Sequence, residues 1–105
     1  MRELLERLTG RYTFVFKKMK TGNGSFEPDK KLVAHPTKKV SVEIEYYDNV
    51  KQWSATIFDS DAEEEFSPDY IVGGQSFAKG LTQSEAEEAA IEITLKYLSN
   101  KRRQQ

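Results

Sequence analysis

The stretch from Gly80 to Leu98 constrains the fold more than any other part of the chain. Its apolar residues recur at steps of three and four, which places them on one side of a helix. This apolar stripe consists of Ala86, Ala89, Ala90, Ile93 and Tyr97, with Ile91, Leu95 and Leu98 beside it. Glutamates and Lys96 occupy the opposite side. The pattern therefore predicts an amphipathic helix that packs closely on a sheet.

The start of this helix is marked by Thr82 and Glu85. A threonine at the N-cap accepts a hydrogen bond from an N–H group of the first turn, and a glutamate three residues later bonds back to the N–H of the cap. This reciprocal arrangement is a capping box. We therefore expect the helix to begin directly after Thr82.

Strands are predicted where apolar and polar residues alternate. The clearest case is Val40 to Tyr47, and Gln52 to Phe58 follows it after a turn as its hairpin partner. Tyr12 to Met19 and Tyr70 to Ala78 are two further strands. Arg2 to Leu8 is predicted to be a short N-terminal helix.

The segment from Lys20 to Lys39 loses the apolar period and is predicted to be a long loop. The element order then predicts an α+β fold, with an antiparallel sheet of three to four strands and both helices packed on one face. A single domain is expected over residues 1–99, followed by a basic, disordered tail at 100–105. The predicted core consists of Phe14, Phe16, Val42, Ile44, Trp53, Ile57, Ala86, Ala90, Ile93 and Tyr97.

Composition excludes several kinds of chemistry. The chain has no cysteine, so disulfides, thiolate metal sites and a cysteine nucleophile are absent. It has one histidine, His35, and no second group that would complete a catalytic pair, so we predict neither an enzyme nor a cofactor. The spacing of Asp59, Asp61, Glu63 and Glu65 imitates a calcium loop but lacks its glycine and its last acidic ligand, so no metal is predicted. An apolar run of about 18 residues is also lacking, so we expect a cytoplasmic protein without a membrane span.

Charge is unevenly distributed along the chain. The net charge of −1 divides into +6 over residues 1–42, −11 over 43–95 and +4 over 96–105. Such segregation produces either a basic and an acidic face, each able to attract a charged partner, or simply a solvated surface.

A second pattern in the helix joins the cap to an alanine pair and two leucines: Thr82, Glu85, Ala86, Ala89, Ala90, Leu95 and Leu98. This pattern is similar to the last helix of double-stranded-RNA-binding domains, where a Ser or Thr cap precedes basic residues, an Ala pair and a Leu. The likeness is confined to this helix. Positions that are basic in that family and contact RNA phosphates are Gln83, Ser84 and Glu87 here, so the resemblance implies the fold more than the ligand. His35 lies near the place of a histidine that enters the minor groove in that family.

A weaker likeness is carried by Gly80, Thr82, Glu85 and Ala86, which also fit the helix entry of antitoxin domains of the HicB type. Two hypotheses for a small non-enzymatic binding module follow. In the first, the chain binds nucleic acid through Lys18, Lys20, Lys30, Lys31, His35, Lys38, Lys39, Lys79, Arg102 and Arg103. In the alternative, it is a protein-interaction or inhibitor module, phage-type or antitoxin-like, that binds a basic protein through Asp61, Glu63, Glu64 and Glu65.

Overall fold

Five strands precede one helix in the computed structural model, which describes residues 12–21, 27–61 and 71–103, the last two residues by their backbone alone. The strands are β1 (Lys17–Lys18), β2 (Lys30–Ala34), β3 (Val40–Tyr47), β4 (Gln52–Asp59) and β5 (Ile71–Lys79), and the helix is α1 (Gln83–Arg103). Each strand pairs antiparallel with the next, so the order of strands in the sheet is their order in the chain. The described chain is therefore α+β, with five strands where three to four were predicted.

The hairpin of β3 and β4 confirms the clearest prediction from the sequence. Val42 lies opposite Ile57 and Ile44 lies opposite Ala55, so the apolar residues of both strands point to one face. All four are buried. The helix packs on this face of β3 and β4, which leaves the glutamates of β3 on the other face.

The prediction of a loop from Lys20 to Lys39 is wrong over residues 30–34, which form β2. Leu32 and Ala34 are buried and lie opposite Ile44 and Val42. The strand has only two inward apolar residues, both of which follow its two lysines, and Val33 places another apolar side chain on the opposite face. Its own alternation is too short to be recognised, and pairing with β3 decides its structure.

The first predicted strand, Tyr12 to Met19, is paired only at Lys17–Lys18. Its aromatic residues nevertheless pack against the core as expected, because Tyr12, Phe14 and Phe16 are partly buried there. The predicted helix at Arg2 to Leu8 lies outside the described residues.

The helix start confirms the capping box. The Thr82 N–H donates to Glu85 Oε1 at 3.0 Å, and the Glu85 N–H donates to Thr82 Oγ1 at 3.2 Å. The helix then runs to Arg103, so residues 100–103 of the tail are helical, contrary to the prediction. Basic residues in the last turn suit the negative end of the helix dipole, and Lys101 is held there by a buried carboxylate.

Replacing Thr82 with alanine is expected to lower the free energy of unfolding by about 1 kcal/mol, because an N–H of the first turn loses its acceptor. Urea denaturation followed by circular dichroism measures the change. Ser84→Ala serves as the control, since Ser84 is an exposed residue of the same turn. Equal losses for the two variants would show that the capping box contributes nothing specific.

The core lies between the sheet and the helix, and it contains every residue predicted for it. Six of these are buried, namely Val42, Ile44, Trp53, Ile57, Ala86 and Ala90, and four are partly buried, namely Phe14, Phe16, Ile93 and Tyr97. The same cluster contains six buried residues that the prediction omitted, namely Leu32, Ala34, Val40, Ala55, Phe77 and Leu98. Ala86 and Ala90 are fully covered, so the helix backbone lies close to the sheet.

Candidate functional site

Predicted basic residues lie at both ends of the sheet. At one end the loop from β2 to β3 carries His35, Lys38 and Lys39, and this loop lies beside the C-terminus of α1. At the other end Lys30 and Lys79 lie near the start of α1. Along the helix axis, Gln83 and Lys101 are separated by about 27 Å, at 1.5 Å per residue. The predicted nucleic-acid residues therefore do not form one continuous surface.

Each end has a groove. The helix-end groove has a volume of about 380 Å³ and is lined by Tyr12, Thr37, Lys38, Lys39, Val40, Asp61, Leu98 and Lys101. The helix-start groove has a volume of about 360 Å³ and is lined by Asp29, Lys30, Tyr46, Asp48, Trp53, Leu81, Thr82 and Gln83.

Thr37 fixes the loop that carries the lysines of the helix-end groove. Its Oγ1 accepts hydrogen bonds from the N–H groups of Lys39, at 3.1 Å, and Val40, at 2.8 Å. The Ser60 N–H donates to the Lys39 carbonyl at 2.9 Å, which ties the loop to the end of β4. Lys38 and Lys39 are thus presented from an ordered turn.

A buried carboxylate, Asp59, joins the end of β4 to the end of the helix. Only 1% of Asp59 is exposed. Its Oδ2 accepts hydrogen bonds from the Tyr97 hydroxyl at 2.6 Å and from Lys101 Nζ at 2.9 Å, and its Oδ1 accepts from the Asp61 N–H at 2.9 Å. Asp61 in turn accepts from Lys39 Nζ at 2.9 Å and from Lys101 Nζ at 3.2 Å. We refer to Asp59, Tyr97, Lys101, Asp61 and Lys39 as the Asp59 network.

The pKa values of this network follow from its geometry. Burial raises the pKa of Asp59, but the hydrogen bonds from Tyr97, Lys101 and the Asp61 N–H outweigh it and hold that pKa below its ordinary value of 3.8. Burial and the hydrogen bond to Asp59 raise the pKa of Tyr97 to about 12. The hydrogen bond to Asp59 also raises the pKa of Lys101. At neutral pH the network therefore holds an ionised Asp59 and a protonated Lys101.

Among the residues that the structure describes, lysines outnumber carboxylates at the helix-end groove. Lys39 and Lys101 share Asp61, whereas Lys38 is exposed and makes no ion pair with any residue that the structure describes. The backbone of α1 brings residues 102 and 103, both arginines, to the same end. This end thus collects basic residues from the middle and from the end of the chain.

The helix-start groove has no such excess. Lys30 Nζ lies 5.7 Å from the centre of the Tyr46 ring, which in turn lies 5.0 Å from the ring of Trp53. Two carboxylates line the same groove, and Asp29 accepts a hydrogen bond from the Asp48 N–H at 2.7 Å. Lys51 pairs with Asp48 at 3.0 Å, so two lysines, Lys30 and Lys51, face the two carboxylates here.

The remaining predicted site residues are scattered. Lys31 pairs with Glu43 at 3.5 Å on the face of the sheet opposite the helix. Lys18 and Lys20 are exposed near β1, and Lys79 is exposed at the end of β5. Lys101 is not among the predicted site residues, because its place in the network depends on Asp59, which is 42 positions away in the sequence.

The alternative acidic site is described only at Asp61, because Glu63, Glu64 and Glu65 lie outside the described residues. Both carboxylate oxygens of Asp61 accept hydrogen bonds from lysines of the same chain. Within residues 12–21, 27–61 and 71–103, no three side chains are grouped as ligands for a metal ion.

Among the described residues, no helix is both long enough and apolar enough to span a membrane. Comparisons of the chain with protein-family models, with curated proteins and with solved structures find no match.

Proposed function

We propose that this chain is a small non-enzymatic binding module that holds nucleic acid through its helix-end groove. The observation that carries the proposal is the meeting of Lys38, Lys39 and Lys101 in one groove beside Tyr12. Lysines at one site neutralise neighbouring phosphates, and an aromatic ring offers a surface on which a base stacks.

The Asp59 network gives this groove a fixed shape. Asp59 orients Lys101, and Asp61 orients Lys39, so two of the ammonium groups are held in place before a ligand arrives. Preorganisation reduces the entropy that is lost on binding. Lys38 supplies a charge that is not already shared with a carboxylate of the described chain, and we assign it the strongest contact with phosphate.

The proposal places the nucleic acid at the opposite end of the helix from the one that the double-stranded-RNA-binding likeness implies. At the helix start, Gln83, Ser84 and Glu87 bring no positive charge. The likeness supports a nucleic-acid partner by analogy of the helix alone. We prefer this partner to the acidic-surface alternative because the lysines of the same groove already occupy Asp61.

Fluorescence titration with duplex RNA, duplex DNA and single strands across a salt series tests the proposal. We expect binding that weakens linearly in log salt, and a slope about one unit shallower for Lys38→Ala, because one phosphate contact is lost. Lys79→Ala is the matched control, since Lys79 is exposed at the other end of the sheet.

Two results would contradict this function. One is the absence of binding to every nucleic acid at roughly 50 mM salt, where phosphate contacts are strong. The other is an equal loss for Lys79→Ala and Lys38→Ala, which would mean that binding does not depend on the helix-end groove. A pull-down with basic proteins would then test the acidic-surface alternative.

A further inference from the structure

The two edge strands of the sheet, β1 and β5, differ in length and in charge. The β1 edge is two residues long, and both residues are lysines. Short, charged edges of this kind resist pairing with another strand. The β5 edge is nine residues long and carries one charge, Lys79, at its last position. Within the described residues, this long edge presents its backbone groups with a single charged side chain beside them.

The middle of β5 is regular and exposed. Gly73 to Ser76 lie opposite Ile57 to Ser54 in an unbroken register, and the irregularities of the pairing fall on either side of this segment. Gly74, Gln75 and Ser76 are exposed. In an antiparallel pair every second residue directs its N–H and C=O away from its neighbour, so this segment offers hydrogen-bonding groups to a further strand.

We propose that β5 pairs antiparallel with β5 of a second copy of the chain, about a twofold axis at Gln75. The two sheets then join into one, with both helices on the same face. Such an interface is isologous, since the same strand contributes from each copy.

Register and charge favour a second copy as the occupant. Residues directly opposite each other in an antiparallel pair share a face of the sheet, so a twofold axis perpendicular to the sheet must pass midway between a residue and the same residue of the second copy. With the axis at Gln75, Gly74 lies opposite Ser76 of the second copy, and Ile71 lies opposite its Lys79. No like charges meet, and the two Gln75 amides each offer a donor and an acceptor to the other.

The positions of the β-bulges also agree with this axis. In β5, one register shift of the pairing with β4 falls between Ile71 and Gly73. The other falls between Ser76 and Lys79. The two shifts lie on opposite sides of Gln75 at similar distances along the strand. About an axis at Gln75, the bulged segment before Gly73 in one copy therefore lies opposite the bulged segment after Ser76 in the other. None of the residues that line the helix-end groove belongs to β5, so the pairing uses none of them.

Cysteine crosslinking tests the axis directly, because the natural chain has no cysteine. Gln75→Cys places two thiols opposite each other, within the distance that a disulfide spans. Ser76→Cys is the matched control. The two cysteines are then diagonal neighbours about 7–8 Å apart, which is too far for a disulfide. Under mild oxidation with diamide, we expect a covalent dimer from the first variant and little from the second. Equal crosslinking of the two variants would overturn the proposed register.

Sedimentation equilibrium of the full chain tests the association itself. We expect wild type to dimerise, and we expect Gln75→Lys and Gln75→Glu each to raise the dissociation constant by roughly fivefold, because like charges meet at the axis. Mixing the two variants should restore association, because lysine then faces glutamate. A wild-type chain that stays monomeric at its solubility limit, or a mixture no tighter than its components, would overturn the proposal.

Discussion

Replacing Asp59 with alanine is expected to lower the free energy of unfolding by about 3 kcal/mol, the low end for breaking a buried ion pair. The Tyr97 hydroxyl and Lys101 Nζ both donate to Asp59, so the change leaves two donors without their acceptor. The loss of stability is limited because the Lys101 side chain is 25% exposed and also contacts Asp61. Urea denaturation followed by tryptophan fluorescence measures the effect, since Trp53 lies in the core.

The matched control for this variant is Asp48→Ala. Asp48 also accepts from a lysine, Lys51 Nζ, at 3.0 Å, but both side chains are mostly exposed. Exposed pairs contribute little because water screens them and the side chains must be ordered. We therefore expect almost no change for Asp48→Ala. Similar losses for the two variants would contradict the structural role assigned to the burial of Asp59.

The contribution of Asp59 to the free energy of unfolding is expected to depend on pH. The folded-state pKa of Asp59 lies below its ordinary value of 3.8, so ionised Asp59 stabilises the fold fully above that pH. This contribution is lost as the pH falls through the lower folded-state pKa. The difference in unfolding free energy between wild type and Asp59→Ala should therefore shrink below about pH 4. A difference that stays constant from pH 7 to pH 3 would show that Asp59 acts by packing rather than by charge.

Replacing Val42 with alanine is expected to lower the free energy of unfolding by about 2.5 kcal/mol. The reason is that two buried methyl groups are lost and a cavity is left in their place. Val42 is fully buried between the sheet and the helix. Thermal and urea denaturation both report the change.

Val33→Ala is the control for this core variant. Val33 lies on the neighbouring strand β2 but points to the opposite face of the sheet and is only partly buried. The same substitution there should cost less than about 1 kcal/mol. Comparable losses at the two positions would mean that the face opposite the helix is also a packed core.

The sequence alone determined the elements whose signals are local. The capping box is a contact between residues three apart, so Thr82 and Glu85 predict the helix start without reference to the rest of the chain. The alternation in Val40–Tyr47 and in its partner is long enough to assign the buried face of each strand, because the side-chain period of a strand is two. Together with the apolar stripe of the helix and the alternation of Tyr12 to Met19, these patterns identified ten residues of the core.

Tertiary structure decided what depends on contacts between distant residues. The segment Lys30–Ala34 becomes a strand because β3 offers it a partner edge and the core accepts its two inward side chains. Lys101 acquires its place from Asp59, a residue 42 positions away, and no local pattern signals such a pair. The antiparallel meander sends Lys38 and Lys30 to opposite ends of the sheet although both belong to one basic stretch of sequence. Closeness along the chain fixes helix caps and strand faces, whereas the path of the backbone through space fixes which charges meet.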